Sequence, residues 1–293
     1  LAHTYLEANT GKTVLVIGAE KMTDYAPEEV ISALTAASSG EEQESGLTFP
    51  GLYAMMAQVY FQKYHFSKKD LSYVSYKNHY HGSLNDKAHF RKKVTLQEIE
   101  SSPLVAYPLG VLDCSPISDG ASAIIMTSDK TFLSKQKKAI QVLATEVATD
   151  TISLKNRKYL DGIEATQIAG ERALHKAGIT PHDIQIAELH DCFSIAELFA
   201  MEDLGFWKKG TAGKQISLLE TMLNSGGHLT TNTSGGLKAA GHPVGATGIK
   251  QIGEVYLQLT KQAGSRQVKG AKKGLTHNVG GSGGTAIVSI FGV

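Results

Sequence analysis

The sequence predicts a layered α/β fold, and three observations lead to it. Short apolar runs of strand length alternate along the 293-residue chain with amphipathic helical segments. Thirty glycines, concentrated in the last third, interrupt these elements with turns. The chain is 42% hydrophobic and 19% charged, which is typical of a globular protein that buries a core of its own.

The composition argues against several functional classes. Twenty-nine basic and 28 acidic residues give a net charge of +1, so no strong electrostatic attraction to nucleic acid or to an anionic membrane is expected. The only cysteines, Cys114 and Cys192, exclude a disulfide scaffold and make a reducing cytoplasm the expected location. No apolar run reaches the ~18 residues of a membrane span.

The first half of the chain contains two predicted strands and one clear helix. Residues 14–18 form a continuous apolar run, which predicts a strand covered on both faces, and residues 121–126 form a second one. Residues 52–64 have apolar side chains at helical spacing. The polar stretch 38–46 is interpreted as flexible, and residues 65–94 show no clear period.

The second half follows a polar link at residues 135–138. We predict, in order, a strand at 140–148, a helix at 163–177, a strand at 184–189, helices at 194–205 and 244–259, and closing strands at 273–279 and 285–291. Gly178 is placed to end the first of these helices, and Ser194 and Glu197 have the spacing of a capping box. We therefore divide the chain into two halves, 1–134 and 135–293, which are candidates for weak repeats.

The segment GGLKAAGHPVGATG, residues 235–248, is the strongest local signal for chemistry. Pro243 suits the first turn of a helix, which places His242 just outside the helix N-terminus. Free N–H groups and the helix dipole favour an anion or a developing oxyanion there, and they favour a neutral imidazole. A capped helix start with a surface histidine explains the residues equally well.

The segment ELHDCFSIAE, residues 188–197, is the second signal. His190, Asp191 and Cys192 follow a predicted strand, and open α/β sheets bind ligands at the carboxyl ends of their strands. A thiol close to a helix N-terminus should have a lowered pKa, so Cys192 is a candidate reactive thiol. The alternative is a buried structural cysteine, which is the more frequent case.

Two further segments leave their interpretation open. THNVGGSGG, residues 276–284, joins two strands and has the backbone amides for an anion-binding nest, or it is a hairpin turn that uses glycine at positive φ. His79, His81 and His89 lie close in sequence, but their spacing matches no structural zinc pattern. We therefore predict no metal site.

The GHPVGATG segment resembles the GHPxGATG loop of the thiolase superfamily. EKMTD at 20–24, ISDGASAIIM at 117–126 and AGITPHDI at 177–184 are also similar to that superfamily. HDCF at 190–193 and HNVGGSGG at 277–284 resemble its sterol-carrier-protein-type branch with archaeal and bacterial relatives. The resemblance extends over essentially the whole chain. It implies the layered αβαβα thiolase fold of two similar halves, with a loop domain inserted at about residues 24–116.

The resemblance implies an acyl-CoA C-acyltransferase of lipid metabolism, of the acetyl-CoA C-acetyltransferase or 3-ketoacyl-CoA thiolase type. Such enzymes perform a Claisen condensation, or the reverse thiolysis, through an acyl-cysteine intermediate. Coenzyme A thioesters would be the substrates, with no separate cofactor. Two alternatives stay open: another condensing enzyme of the same fold, against which HDCF argues, and a non-catalytic acyl-CoA-binding or scaffold protein.

The resemblance also implies residue roles. His242 would activate the nucleophilic thiol and border the first oxyanion hole. His190 stands where most thiolases carry an asparagine that holds an oxyanion-hole water, and Cys192 would be the second acid/base. The resemblance assigns the second oxyanion-hole loop to His277, Asn278 and Gly280, and we assign substrate binding to Ser234 and Gly235.

In thiolases the nucleophilic cysteine opens the helix just before the VLVIGAEKM strand. The first residues have helical spacing, so we expect this chain to begin inside that helix, with the first half incomplete and the nucleophile upstream. The two apolar strands of that half should then be partly uncovered. The resemblance further implies a homodimer or homotetramer, and a partnership with an OB-fold zinc-ribbon protein and a hydroxymethylglutaryl-CoA synthase.

Overall fold

Helices and strands alternate along the chain, and a computed structural model describes all 293 residues. The helices are α1 (Ala2–Ala8), α2 (Pro27–Thr35), α3 (Gly40–Glu44), α4 (Phe49–Tyr64), α5 (Lys68–Ser83), α6 (Leu96–Glu100), α7 (Lys130–Leu133), α8 (Glu164–Ala177), α9 (Ser194–Asp203), α10 (Ala212–Ser217), α11 (Gly236–Ala240) and α12 (Thr247–Leu259). The strands are β1 (Thr13–Glu20), β2 (Leu104–Ala106), β3 (Leu109–Gly110), β4 (Gly120–Thr127), β5 (Gln141–Thr149), β6 (Ile186–Glu188), β7 (Thr230–Thr231), β8 (Lys273–Gly280) and β9 (Thr285–Gly292).

The second half is built on a five-stranded mixed sheet in the order β5-β9-β8-β6-β7. Strand β6 is parallel to both β7 and β8, whereas β8, β9 and β5 are antiparallel neighbours. Successive side chains of a strand point to opposite faces. On β8, His277 contacts Thr166 of α8 and Asn278 contacts Gln251 of α12, so these two helices cover opposite faces of the sheet.

The first half contributes a second, two-stranded sheet in which β1 and β4 pair antiparallel. This sheet packs on α12, which therefore lies between the two sheets. The approach is close, because a Cβ atom at Gly18 of β1 would lie 2.2 Å from the carbonyl oxygen of Gly245. The order α8, five-stranded sheet, α12, two-stranded sheet confirms the predicted layered α/β fold.

The helices α2 to α6 lie between β1 and β4, in the segment for which the sequence predicts an inserted loop domain. The 16-residue helix α5 was not predicted, because its buried face is polar and gives no apolar period. Lys77, Asn78 and His81 are all buried on that face, against α9, α10 and α11. The stretch interpreted as flexible contains the short helix α3, which Ser39 caps by accepting a hydrogen bond from the Glu42 N–H.

Helix ends follow the sequence in one case and depart from it in another. Gly178 ends α8 with φ of +67°, as predicted. The capping box at α9 is wrong: the N-cap residue is Phe193, and the Ser194 hydroxyl donates instead to Asp113 Oδ1 at 2.8 Å. Glu197 does not return to the helix start, because Lys77 of α5 pairs with it at 2.7 Å in the core.

The outer face of the two-stranded sheet is apolar and uncovered. Leu15, Ile17 and Ile125 are 61%, 63% and 64% exposed, whereas the alternate residues of β1 face α12. The interpretation of β1 as covered on both faces is therefore wrong for this structure. The expectation that the two strands are partly uncovered is confirmed. None of the twelve helices combines the length and the hydropathy that a bilayer-spanning segment requires.

We expect the uncovered face to cause self-association of the 293-residue chain, because exposed apolar strand surface favours intermolecular contact. Leu15 and Ile125 are cross-strand partners, so Leu15→Lys with Ile125→Glu replaces apolar area by an ion pair. This double variant should sediment with a lower average mass and scatter less light, with an unchanged thermal transition. The matched control is Thr13→Lys with Thr127→Glu, which adds the same charges to the same sheet without removing apolar area. Equal association of all three proteins would contradict this prediction.

Candidate active site

His242 lies in the connection between α11 and α12, and two contacts hold it there. Its backbone N–H donates to Ser118 Oγ at 3.3 Å, and its ring Nδ1 lies 2.7 Å from Thr247 Oγ1. Helix α12 begins at Thr247, so the predicted helix start near Pro243 is four residues too early. Residues 243–246 form a turn whose tight packing against β1 explains the glycine at position 245.

The hydrogen bonds of Thr247 support an assignment of the His242 tautomer. The Thr247 hydroxyl has one proton, and it donates that proton to the Pro243 carbonyl at 3.0 Å. On this arrangement we assign the ring proton of His242 to Nδ1, with the Thr247 oxygen as its acceptor. Nε2 of His242 therefore has a free lone pair, which is the state that a general base needs. Burial, with the neighbouring His190, holds the pKa of this imidazole well below its usual range, so the ring is neutral.

His190 follows β6 and faces His242. The two ring centroids are 5.1 Å apart and the planes meet at 87°, an edge-to-face arrangement. His190 is 5% exposed, and its Nδ1 is buried without a partner in the protein. Burial and the charge of Lys250 lower the pKa of this ring to about 3. The two neutral imidazoles thus form one pair, drawn from two loops that are about 50 residues apart in the sequence.

His277 supports this pair from β8. Its Nδ1 accepts a long hydrogen bond of 3.5 Å from the backbone N–H of His190, which can only donate. The neutral ring therefore carries its proton on Nε2, which lies 2.9 Å from Thr166 Oγ1. Burial lowers the pKa of His277 to about 3. Because both ring nitrogens are engaged, the ring itself has no free N–H for an oxyanion.

Cys192 lies on the other side of Asp191 from His190 and packs against Tyr53. Burial raises the pKa of its thiol to about 12, and the neighbouring Tyr53 side chain acts in the opposite direction without compensating. The predicted lowering of this pKa is wrong, because desolvation of a thiolate outweighs the dipole of a helix that starts two residues later. The Tyr53 hydroxyl donates its proton to the Gly281 carbonyl at 3.3 Å, which places Cys192 next to the glycine-rich loop.

The glycine-rich loop is a hairpin turn between β8 and β9. Gly281 and Gly283 have φ of +60° and +117°, which confirms the interpretation that glycine is used here for positive φ. Arg157 holds the turn by donating to the carbonyl and to the hydroxyl of Ser282, at 2.6 Å and 3.2 Å. Gly280 is exposed at the end of β8.

The other predicted site residues lie in less accessible positions. Asn278 points away from His277 and donates to Gln251 Oε1 at 2.9 Å. The buried Ser234 donates its hydroxyl proton to Glu188 Oε2 at 2.6 Å. Gly235 is required by packing, since a Cβ there would lie 2.7 Å from Gly82 Cα of α5. The structure brings His190, His242 and His277 together, and the roles given to the remaining residues stay predictions.

Three supporting residues were missed by the sequence analysis. Thr247 lies inside the GHPVGATG segment. A hydroxyl residue five positions after His242 could have been recognised from the sequence as a partner for its ring. Thr166 gives no such signal, because only the packing of α8 on the sheet brings it to His277. Asn78 is hidden in the unpredicted α5, where it donates to the Asp191 carboxylate at 2.7 Å. His81, considered above as a metal ligand, has both ring nitrogens bonded to backbone groups instead.

Comparison with solved structures identifies the class of fold. An Ltp2–ChsH2(DUF35) aldolase superimposes on 100% of this chain and 75% of its own, with a TM-score of 0.84 and 23% identity. A monomeric SCP2-thiolase-like protein type 1 from Mycobacterium smegmatis covers 99% of this chain and 60% of its own, with a TM-score of 0.74 and 16% identity. The chain therefore has the thiolase fold.

Sequence comparison identifies the family. The family described as "Thiolase, N-terminal domain" matches residues 1–130, and "Thiolase C-terminal domain-like" matches residues 146–293. Acetyl-CoA acetyltransferases of Methanothermobacter thermautotrophicus and Methanocaldococcus jannaschii are 46% and 45% identical, over 95% of this chain and 72% of their own length. Sterol carrier protein 2 of Oryctolagus cuniculus is 38% identical over 83% of this chain and 45% of its own length. The chain belongs to the thiolase family.

We expect Thr247→Val to disrupt the site without unfolding the protein, because valine matches threonine in shape but cannot accept from Nδ1–H. The proton of His242 would then redistribute between its ring nitrogens, and reactions that use Nε2 as a base should slow by about 10–100-fold. Thr247→Ser keeps the hydroxyl and should react at a rate close to that of the parent. Nitrogen-15 signals of the ring report the tautomer directly. Identical ring signals in the Val and Ser variants would contradict the tautomer assignment.

Proposed function

We propose that this protein is an acyl-CoA C-acyltransferase of the acetyl-CoA C-acetyltransferase or 3-ketoacyl-CoA thiolase type. The observation that carries the proposal is the neutral His190–His242 pair, with Nε2 of His242 held as a free acceptor. A base of this kind is needed to take the proton of a nucleophilic thiol. The archaeal relatives named acetyl-CoA acetyltransferase support the same reaction class.

His242 acts first in the proposed reaction. It removes the proton from a cysteine thiol, and the thiolate attacks an acyl-CoA thioester to form an acyl-cysteine and free coenzyme A. Neither cysteine of this sequence fits that nucleophile. Cys114 points its thiol at the Gly110 carbonyl at 3.4 Å, and Cys192 has a raised pKa that disfavours its thiolate.

Cys192 acts on the α-carbon of the second acyl-CoA. A thiol with a pKa of about 12 rests in the protonated state, so it is prepared to donate a proton to the carbanion that forms when a 3-ketoacyl-CoA is cleaved. In the condensation direction Cys192 first gives its proton to the coenzyme A thiolate that departs when the acyl-cysteine forms, and the resulting Cys192 thiolate then removes the α-proton of the second acyl-CoA. The adjacent Tyr53 side chain acts to lower the pKa of Cys192 and so favours the thiolate that exists in between.

Charge that develops on the thioester oxygens needs hydrogen-bond donors. We assign the first oxyanion hole to His190, whose buried Nδ1 has no partner in the protein, and to His242, whose Nε2 becomes a donor once it holds the proton of the thiol. We assign the second to the loop of His277, Asn278 and Gly280, with the exposed backbone at Gly280 as the donor.

The broader assignments belong to the same proposal. Coenzyme A thioesters are the substrates, and no separate cofactor takes part. The enzyme acts in the cytoplasm as a homodimer or homotetramer. The proposed partners are a protein of the OB-fold zinc-ribbon class and a hydroxymethylglutaryl-CoA synthase. The structural neighbour Ltp2–ChsH2(DUF35) aldolase, whose name gives two components, supports the idea of a partner protein.

His242→Asn tests the first step. In the full natural gene product this substitution should slow formation of the acyl-enzyme from acetyl-CoA by ~10²–10⁴-fold, because the thiol loses its base. Mass spectrometry of the acylated protein measures the rate. His175→Asn, on the exposed face of α8, is the matched control and should acylate normally. Normal acylation of the His242 variant would remove this residue from the mechanism.

Cys192→Ala tests the second step separately. The variant should still accept an acyl group, but it should fail to exchange the α-protons of acetyl-CoA with deuterated water, because the group that removes them is gone. Proton NMR of acetyl-CoA measures the exchange. Cys114→Ala removes the other thiol of the chain and should exchange normally. Exchange that persists in the Cys192 variant would show that this thiol is only a core residue.

A non-catalytic acyl-CoA-binding protein is the alternative outcome of these tests. It would bind acetyl-CoA in a calorimeter with no acylation, no α-proton exchange and no thiolysis of acetoacetyl-CoA by the full natural gene product. The same measurements on the 293-residue chain should show no thiolysis, since neither of its thiols is the proposed nucleophile.

A further inference from the structure

Lys250, in the first turn of α12, touches the backbone next to His242. Its Nζ donates to the Gly241 carbonyl at 2.6 Å and to the Gly236 carbonyl at 3.4 Å. These two carbonyls stand at opposite ends of the short helix α11. One ammonium group therefore connects α12 to the start of α11 and to the residue immediately before His242.

Lys250 has no ion-pair partner: no carboxylate oxygen lies within 4.0 Å of its Nζ. The nearby carboxylates are engaged elsewhere. Glu188 accepts from Ser234, and Glu254 accepts from Arg266 at 2.9 Å. By contrast, the buried Lys77 pairs with Glu197 at 2.7 Å. The half-buried ammonium of Lys250 therefore gives its hydrogen bonds to backbone carbonyls and not to a carboxylate.

The position of His242 depends on a flexible residue. Gly241 has φ of +96°, a conformation that glycine adopts easily because it has no side chain, so contacts with other residues must hold it. Its carbonyl is held by Lys250, the next N–H by Ser118, and the His242 ring by Thr247. Of these three contacts, that of Lys250 alone also reaches the far end of α11.

We propose that Lys250 is a positioning residue for the proposed acyl transfer, where it clamps both ends of α11 so that the ring of His242 stays against that of His190. The proposal rests on the proposed function and names a residue that acts through another one. Lys250 does not touch the reacting atoms. Its hydrogen bonds keep the His242 ring in the position from which Nε2 can reach the proton of the nucleophilic thiol.

The charge of Lys250 acts in the same direction as its hydrogen bonds. It helps to lower the pKa of both His190 and His242, after burial. The titratable groups that face Lys250 are these two histidines and three carboxylates, those of Glu188 on β6, Asp191 in the following loop and Glu254 on α12. The clamp therefore also favours the neutral imidazoles that the proposed chemistry needs.

Three substitutions in the full natural gene product separate the clamp from a general effect on stability. Lys250→Met removes the donors and should lower kcat by about 10–100-fold, because a misplaced base loses rate, while KM stays within about twofold. Lys250→Arg keeps several donors and the charge, and should recover most of kcat. Lys250→Gln keeps a donor without the charge and should recover part of it. Lys214→Met, on the exposed side of α10, is the control and should leave both constants unchanged.

A second measurement does not depend on activity. Hydrogen–deuterium exchange of a peptide covering residues 236–246 should accelerate at least tenfold in Lys250→Met and stay unchanged in the Lys214→Met control. If the parent protein transfers no acyl group, the proposed function fails and the exchange measurement still decides the clamp.

The proposal is overturned if Lys250→Met leaves both kcat and the exchange rate of this peptide unchanged. It is also overturned if kcat falls together with a comparable rise in KM and the arginine variant recovers nothing. That pattern would make Lys250 an ordinary structural lysine.

Discussion

The carboxylate of Asp191 joins the three segments from which the site is built. It accepts from Asn78 of α5 at 2.7 Å and from the backbone N–H of Leu237, in the first turn of α11, at 2.6 Å. Gly236 permits this approach, since a Cβ there would lie 2.3 Å from the carboxylate. His190 and Cys192 flank Asp191 in sequence, so the anchor that holds α11 also fixes the loop that carries both of them.

The same anchor connects the helical insertion to the second half. Asn78 donates to Asp191 and to Glu197, and Glu197 also pairs with Lys77 and accepts from Thr231. A buried ion pair contributes little net stability once desolvation is counted, but its geometry is exacting. We infer that this network fixes one position and orientation of α5 against the second half. Any other position would leave charged groups buried without partners.

The sequence alone predicts the elements whose burial is apolar. The strands β1, β4, β8 and β9 and the helices α8 and α12 were found because their apolar residues have the period of the structure they form. Helix α5 was not predicted because most of its buried face is polar and includes Lys77, Asn78 and His81, whose partners come from distant parts of the chain. Local patterns carry no information about such partners.

Of the site, the sequence supplied the histidines and the thiol, mainly through the resemblance of their loops. It did not supply their protonation. The sign of the Cys192 pKa shift was wrong, because the helix dipole is visible in the sequence and the extent of burial is not. The tautomer of His277 depends on the backbone N–H of His190, which only the folded structure brings to it.

Helix α12 between the two sheets also limits how this family member can change in length. Thr247, Lys250, Gln251 and Glu254 recur at helical spacing on one face, and each bonds to a different part of the site or its support. Each residue of an α-helix turns the chain by about 100° and advances it by about 1.5 Å. A single insertion or deletion between His242 and Gln251 would therefore break one of two contacts. These are the contact of Thr247 with the His242 ring and the hydrogen bond from Gln251 to the His277 carbonyl on β8. Insertions in the surface loops would leave both in register, so this stretch should be the most length-restricted part of the chain.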